Sequence, residues 1–320
     1  MKLLFIAFLF LAYTNINVVE GKCKGWKLRM LEWIGCDGPD DTKPLCKIFG
    51  FCEDETVTTP VPIVDCGTRV LEGGLAASDC TTKDCVAILS CDADKNLFGP
   101  SSSTCQEDGS WTNETKCFYM EDCFSQYYYE LPHGIYLIDT THMLLNVYCE
   151  YGLTVIQRRT TGTVNFDRPW DDYKNGFGAL DGEMWLGNEI IYNLTRDSLR
   201  QLVIDIVEED GTKHRISYST FDISDEFNNY TLTMSGFQSS TALDDFSVQY
   251  GSQFSTSDRD NDVAAADCAA VSGGGWWYNG DCNPVDLNGT PYPGGIQWFT
   301  ITSVPSKIVH TSIYLQYIFE

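Results

Sequence analysis

Positive charge is scarce in this chain. Against 45 acidic residues stand only 21 lysines and arginines, a net charge of −24 over 320 residues, so there is no basic surface to hold a nucleic acid or to bind heparin or anionic lipid through a broad patch. Such an imbalance supplies solubility. Histidine is nearly missing: His133, His142, His214 and His310 are the four present, none in a metal or nucleophile motif, and no serine lies in a nucleophile elbow. An enzyme is therefore not expected. Beyond the N-terminus no apolar run approaches the roughly eighteen residues of a membrane span, which excludes membrane insertion. Collagen-like Gly-X-Y and heptad stems are absent as well, so any homo-oligomer must form by other means.

What the chain does have in quantity is cysteine. Residues 1–21 read as a signal peptide, with Lys2 ahead of the apolar LLFIAFLFLAY and small or polar residues after it. The fourteen cysteines, an even number, then fit a disulfide framework in an oxidising compartment. Four Asn-X-Thr sequons, at Asn113, Asn193, Asn229 and Asn288, agree with secretion and mark candidate glycosylation sites. Residues 22–52 hold Cys23, Cys36, Cys46 and Cys52, whose pairing the spacing leaves open. The following stretch, 53–64, is rich in Thr, Pro and acid and reads as a linker.

One segment stands out, FSTSDRDNDVAAADCAAVSGGGWWYNGDC at 254–282. Asp258, Asp260 and Asp262 alternate in a turn-forming run, and such carboxylates can converge on calcium, which takes oxygens at about 2.3–2.6 Å. The run is not an EF-hand loop, because the required glycine and glutamate are missing; a solvated acidic turn is the alternative. Cys268 and Cys282 could close a loop of about fifteen residues, worth roughly 3 kcal/mol by chain entropy, beside Trp276, Trp277 and Tyr278.

Here the sequence resembles the fibrinogen-like C-terminal domain of fibrinogens, ficolins, tachylectins, angiopoietins and tenascins. DCF at 122–124, VYCEYG at 147–152, the run from Thr154 to Glu189 and LNG at 287–289 carry the same resemblance over 119–320. It implies an α+β fold: a twisted, mainly antiparallel sheet with short helices and a loop-rich calcium subdomain. It implies calcium on Asp260 and Asp262 with the carbonyls of Ala264 and Ala266, bridges Cys123–Cys149 and Cys268–Cys282, and an acetyl pocket beside the ion. That pocket would use Asp281, Cys282, Asn283, Tyr278 and Tyr292, with core packing the expected role of Trp276 and Trp277. Several residues depart from the family's lectins. Three residues separate Tyr278 from Cys282, one more than usual. Asn283 replaces a histidine, Ser272 replaces an aromatic, and the run after Gly289 is short.

Upstream, CGTRVLEGG and STCQEDGSW, closed by Cys117, resemble a sushi (complement control protein) module at 65–118, a small all-β unit. The resemblance implies Cys66–Cys105 and Cys91–Cys117 around a buried Trp111. Cys80 and Cys85 are additional to that pattern and are expected to bridge each other. Together the two resemblances imply a secreted, calcium-dependent recognition protein: a lectin for acetylated glycans in innate immune pattern recognition, or an adhesion or signalling ligand for an extracellular protein receptor.

Overall fold

The computed structural model describes residues 63–280, 282, 285–290, 296–302 and 308–318, and the backbone ladder of β1 (Val18–Val19) with β2 (Lys22–Cys23). The rest of the expected leader, the remainder of the segment 22–52 and most of the linker lie outside the described residues.

From Cys66 the chain builds a small β unit. β3 (Gly74–Ala77), β4 (Val86–Cys91) and β6 (Ser102–Thr104) form one antiparallel sheet, and β5 (Asn96–Phe98) pairs with β7 (Lys116–Phe118). β4 alternates as a half-buried strand should: Ala87 and Leu89 face inward while Val86 and Ile88 are exposed. With Leu71 these two are the whole buried cluster, too small a core to hold a fold unaided. Three disulfides supply the rest: Cys66–Cys105, Cys91–Cys117 and Cys80–Cys85. Trp111 differs from expectation. It is only partly buried against that cluster, because so thin a core cannot enclose an indole, and its ring N–H donates to the Gly67 carbonyl at 3.2 Å.

The larger part is a nine-stranded sheet with mainly short helices. β10 (Leu153–Arg159), β16 (Ile308–Tyr317), β13 (Arg200–Glu208), β14 (Lys213–Ile223) and β15 (Leu232–Ser239) follow one another in space, all antiparallel. On the other side of β10 lie β12 (Met184–Trp185) and β11 (Phe177–Gly178), while β9 (Leu144–Glu150) pairs with both β10 and the edge strand β8 (Gly134–Asp139). LTVIQRR is buried at every position, as a central strand covered on both faces demands. The EDGT turn closes the β13–β14 hairpin as expected, with the Glu208 and Thr212 backbones bonded and Gly211 at φ 88°. Cys123–Cys149 ties α1 (Phe124–Tyr128) to β9. The WDDYKN and NEIIYNLT runs form α2 (Trp170–Asn175) and α3 (Asn188–Thr195).

Aromatic rings fill the core between sheet and loops. Trp276 stacks on Phe246 at 5.4 Å, Trp277 meets Phe254 edge-on at 5.2 Å, and Trp185 approaches Trp277 at 6.1 Å. The glycine run before them is steric in origin. A Cβ on Gly275 would lie 2.7 Å from the Tyr173 ring, so the chain passes a tyrosine that no larger residue could approach.

Candidate metal centre and recognition loop

The loop after β15 is pinned at its start. The backbones of Ser255 and Trp276 exchange hydrogen bonds of 2.9 and 3.1 Å, and the Asn261 amide donates to the Phe254 carbonyl at 2.7 Å. Asp258 does not join the other aspartates. Its Oδ1 accepts the backbone N–H of Trp170 at 2.9 Å and the Thr256 hydroxyl at 2.7 Å, satisfying an amide at the start of α2 that helix geometry leaves without a partner. Arg259 locks the same junction: its guanidinium lies 3.9 Å over the Trp170 ring, bonds to Asn229 and approaches Glu226 at 3.6 Å. A convergence of the three alternating aspartates is thus corrected to a smaller pair.

That pair gains a third member. Asp260, Asp262 and Asp267 bring carboxylate oxygens within 4.8 Å of one another. Each is oriented by backbone amides. Asp262 accepts from Ala264 at 2.8 Å and from Cys268 at 3.0 Å, Asp260 accepts from Asp262 at 3.1 Å, and Asp267 caps α4 (Cys268–Ser272) by accepting from Ala270 at 2.9 Å. Burial raises the Asp262 carboxyl above its ordinary value; the amide bonds from Cys268 and Ala264 offset this only in part, and weaker repulsion from Asp260 and Asp267 adds to the rise. Three hard oxygen donors on one loop, one of them disfavoured in its charged form, suit a divalent cation such as calcium. Ala264 and Ala266 lie in the same loop between the second and third of them, Ala264 half-buried and Ala266 exposed.

The Cys268–Cys282 bridge is formed, and it holds Cys282 at φ 59°. A non-glycine residue there costs about 1–2 kcal/mol; the bridge and an amide bond from Cys282 to the Asn279 carbonyl at 3.2 Å keep it in place. Of the expected pocket residues, Asp281, Asn283 and Tyr292 lie outside the described residues. Tyr278 is corrected: it is 1% exposed, and its hydroxyl is held by the Gly274 carbonyl at 2.7 Å and Asp286 at 2.9 Å, so it presents no face to a ligand. Trp276 and Trp277 are buried likewise.

The sequons divide sharply. Asn113 is exposed. Asn193, half-buried in α3, donates to the Glu189 carbonyl at 2.7 Å, and Asn229 is engaged by Arg259 and Gln253. Asn288 is corrected as a glycosylation site. It is 0% exposed, and its carboxamide bonds Gly275 at 2.9 Å and Gln157 at 3.1 Å, leaving no room for a sugar on its nitrogen.

Two further acids escaped sequence reasoning. Asp286, buried under the Leu287–Thr290 turn, accepts the amides of Asn288 at 2.9 Å and Gly289 at 2.8 Å, and burial pushes its carboxyl up to about 6. Glu183 accepts five backbone amides, from Thr160 to Val164. A lone Glu in LDGEMW carries no local sign of this. Asp267 did carry one, since an Asp immediately before a short apolar run such as CAAV is an N-cap pattern.

The comparisons agree with this architecture. The family profile of the fibrinogen beta and gamma chains, C-terminal globular domain, matches residues 119–316. Among curated proteins, ryncolin-4 of Cerberus rynchops is 39% identical over 184 residues, 53% of this chain and 53% of that protein, and angiopoietin-4 of Bos taurus is 37% identical over 180 residues, 52% of this chain and 36% of that protein. The chain thus spans less than two thirds of the length of these relatives. Among solved structures, the fibrinogen-like globe domain of human ANGPTL2 aligns at TM-score 0.59 and 33% identity, covering 62% of this chain and 99% of that one. A lamprey fibrin D-dimer in complex with the peptide Gly-His-Arg-Pro-amide aligns at TM-score 0.55 and 31% identity, covering 61% and 72%. The chain belongs to the fibrinogen C-terminal globular domain family.

Proposed function

We propose that the chain is a secreted, calcium-dependent recognition protein, a fibrinogen-related lectin that binds acetylated glycans in innate immune pattern recognition. The observation that carries the calcium part is the convergence of Asp260, Asp262 and Asp267 on one disulfide-closed loop. These carboxylates, with carbonyls from Ala264 and Ala266, would hold the ion, and an ion there supplies the charge that lets the acids stay together and the loop keep its shape. The loop leads directly to Cys282, where the glycan's acetyl group would be received. The small unit at 65–118, with Cys66–Cys105 and Cys91–Cys117 bridged, is read as a sushi module that spaces the globe. The leader, the disulfides and the exposed sequon at Asn113 support secretion. None of this calls for catalysis.

A second reading has its own support. The lamprey relative is seen with a short peptide, and burial of Trp276, Trp277 and Tyr278 removes three aromatics from any sugar platform. A protein receptor docking on the same face is therefore the alternative. Capture on an N-acetylglucosamine resin in millimolar calcium separates them: release by both free sugar and chelator supports the lectin, and no retention while chelator still lowers the melting temperature supports the receptor ligand.

A further inference from the structure

The small β unit does more than precede the globe. Residues Cys66–Glu320 cluster as one compact unit, and the joint between its two parts is specific. Among the described residues β8 is an edge strand, paired only with β9. In an antiparallel ladder alternate residues turn both backbone groups away from their partner, and on β8 these include Leu137. The Asn96 carboxamide meets both: its Nδ2 donates to the Leu137 carbonyl at 2.7 Å, and its Oδ1 accepts the Leu137 amide at 2.7 Å. A side-chain amide thus reproduces what a neighbouring strand would offer. Two residues on, the Asp139 amide donates to Met120 at 2.8 Å, and the Tyr119 hydroxyl donates to Asp139 at 3.2 Å. Phe118 packs on Tyr129 with ring centroids 5.0 Å apart.

The strand so covered is GIYLID, apolar, β-prone and free of proline and of basic charge. An edge of that composition is a template for pairing with another chain. Its side-chain faces differ: Ile138 is buried, whereas Ile135 on the other face is 49% exposed. An antiparallel strand meeting its own copy across a two-fold axis makes a self-complementary pair, so the natural occupant of an uncovered β8 is β8 of a second molecule.

We propose that the small β unit is an edge guard for the globe, with Asn96 occupying the hydrogen-bonding position that a second copy's β8 would otherwise take. The guard is covalently linked, so it acts at high effective concentration and keeps the globe from sheet-to-sheet association. Its removal by cleavage in the joint would turn the globe into a self-pairing species.

The test uses the full disulfide-bonded chain. Asn96→Ala should speed hydrogen exchange at the Leu137 amide at least ten-fold while Val155 in the central strand keeps its rate. Asn96→Ala with Phe118→Ala should undock the unit and double the sedimentation mass relative to wild type at micromolar concentration. Adding Ile135→Lys, a charge on the freed edge, should restore the wild-type mass. An unchanged Leu137 rate in the single variant overturns the proposal on its own, even if the double variant fails to fold. So does a folded double variant with wild-type mass, or an association that Ile135→Lys leaves in place.

Discussion

Glu183→Gln is expected to be among the most damaging single-atom changes in the globe. One carboxylate oxygen accepts the amides of Thr160 at 2.8 Å, Thr161 at 2.7 Å and Gly162 at 2.7 Å; the other accepts Thr163 at 2.7 Å, Val164 at 2.9 Å and the Thr163 hydroxyl at 3.0 Å. Glutamine keeps one accepting oxygen and turns an NH2 toward the donors on the other side. Bonds to a charged group are worth about 1.5–3 kcal/mol each, and buried donors left unmade cost more than their mean. With partial relaxation the loss should be about 3–5 kcal/mol, a fall of roughly 6–20 °C in melting temperature for a domain of this size. The pH dependence adds a second signature. Burial opposes ionisation of Glu183, but the amides of Val164, Thr160, Gly162 and Thr161 together outweigh it and hold the carboxyl well below the usual range. A depressed carboxyl stabilises the fold fully above its unfolded value, about 4.3, and that contribution drains away as pH falls below it. Differential scanning calorimetry of both proteins at pH 7 and pH 3 should show a large gap that narrows in acid. A variant within about 1 kcal/mol of wild type at pH 7, or a gap independent of pH, would refute the reasoning.

Asp286→Asn should behave oppositely. Tyr278 has one hydroxyl proton and two acceptors, Gly274 and Asp286, so a neutral group at 286 that donates to the phenol oxygen relieves the conflict. A carboxyl pushed up to about 6 is stabilising while protonated and costs about 3 kcal/mol by the time pH has risen through that value; the variant's melting temperature should therefore gain on wild type between pH 4 and pH 7.5. Asp267→Asn should remove at least about half of the thermal stabilisation by calcium, which at a hundredfold excess over Kd is worth about 2.7 kcal/mol, read by scanning fluorimetry with and without chelator. Peptide mapping of the secreted protein should find glycan on Asn113 and none on Asn288, and a glycan on Asn288 would contradict its burial.

Legibility followed the range of the interactions. The bridges, the Asp-Gly hairpin turn and the acidic loop were readable because their determinants are local or belong to an ordered run of motifs. Asp258 was not, since the amide it satisfies lies 88 residues away on Trp170, and alternation in sequence carries no record of that demand. Tyr278 has the composition of a ligand platform, yet the apolar surface of the core claims the whole triplet, and only the fold decides which aromatics are left outside. Asn288 satisfies the glycosylation pattern while its carboxamide is consumed by Gly275 and Gln157. Asn96 meets Leu137 across 41 residues, and an asparagine before an exposed Leu-Phe pair reads as nothing more than a strand end. Trp111 fits the pattern that its stretch resembles in sequence, but the unit's three-residue buried cluster cannot close over it.

The most direct measurement is a calorimetric titration of calcium into the intact chain and into Asp267→Asn. The expected result is binding at a single site in the wild type, weakened at least ten-fold in the variant, because Asp267 supplies one of the three convergent carboxylates. An absence of binding, or equal affinity in both proteins, would contradict the assignment of this loop as a cation-organised recognition site.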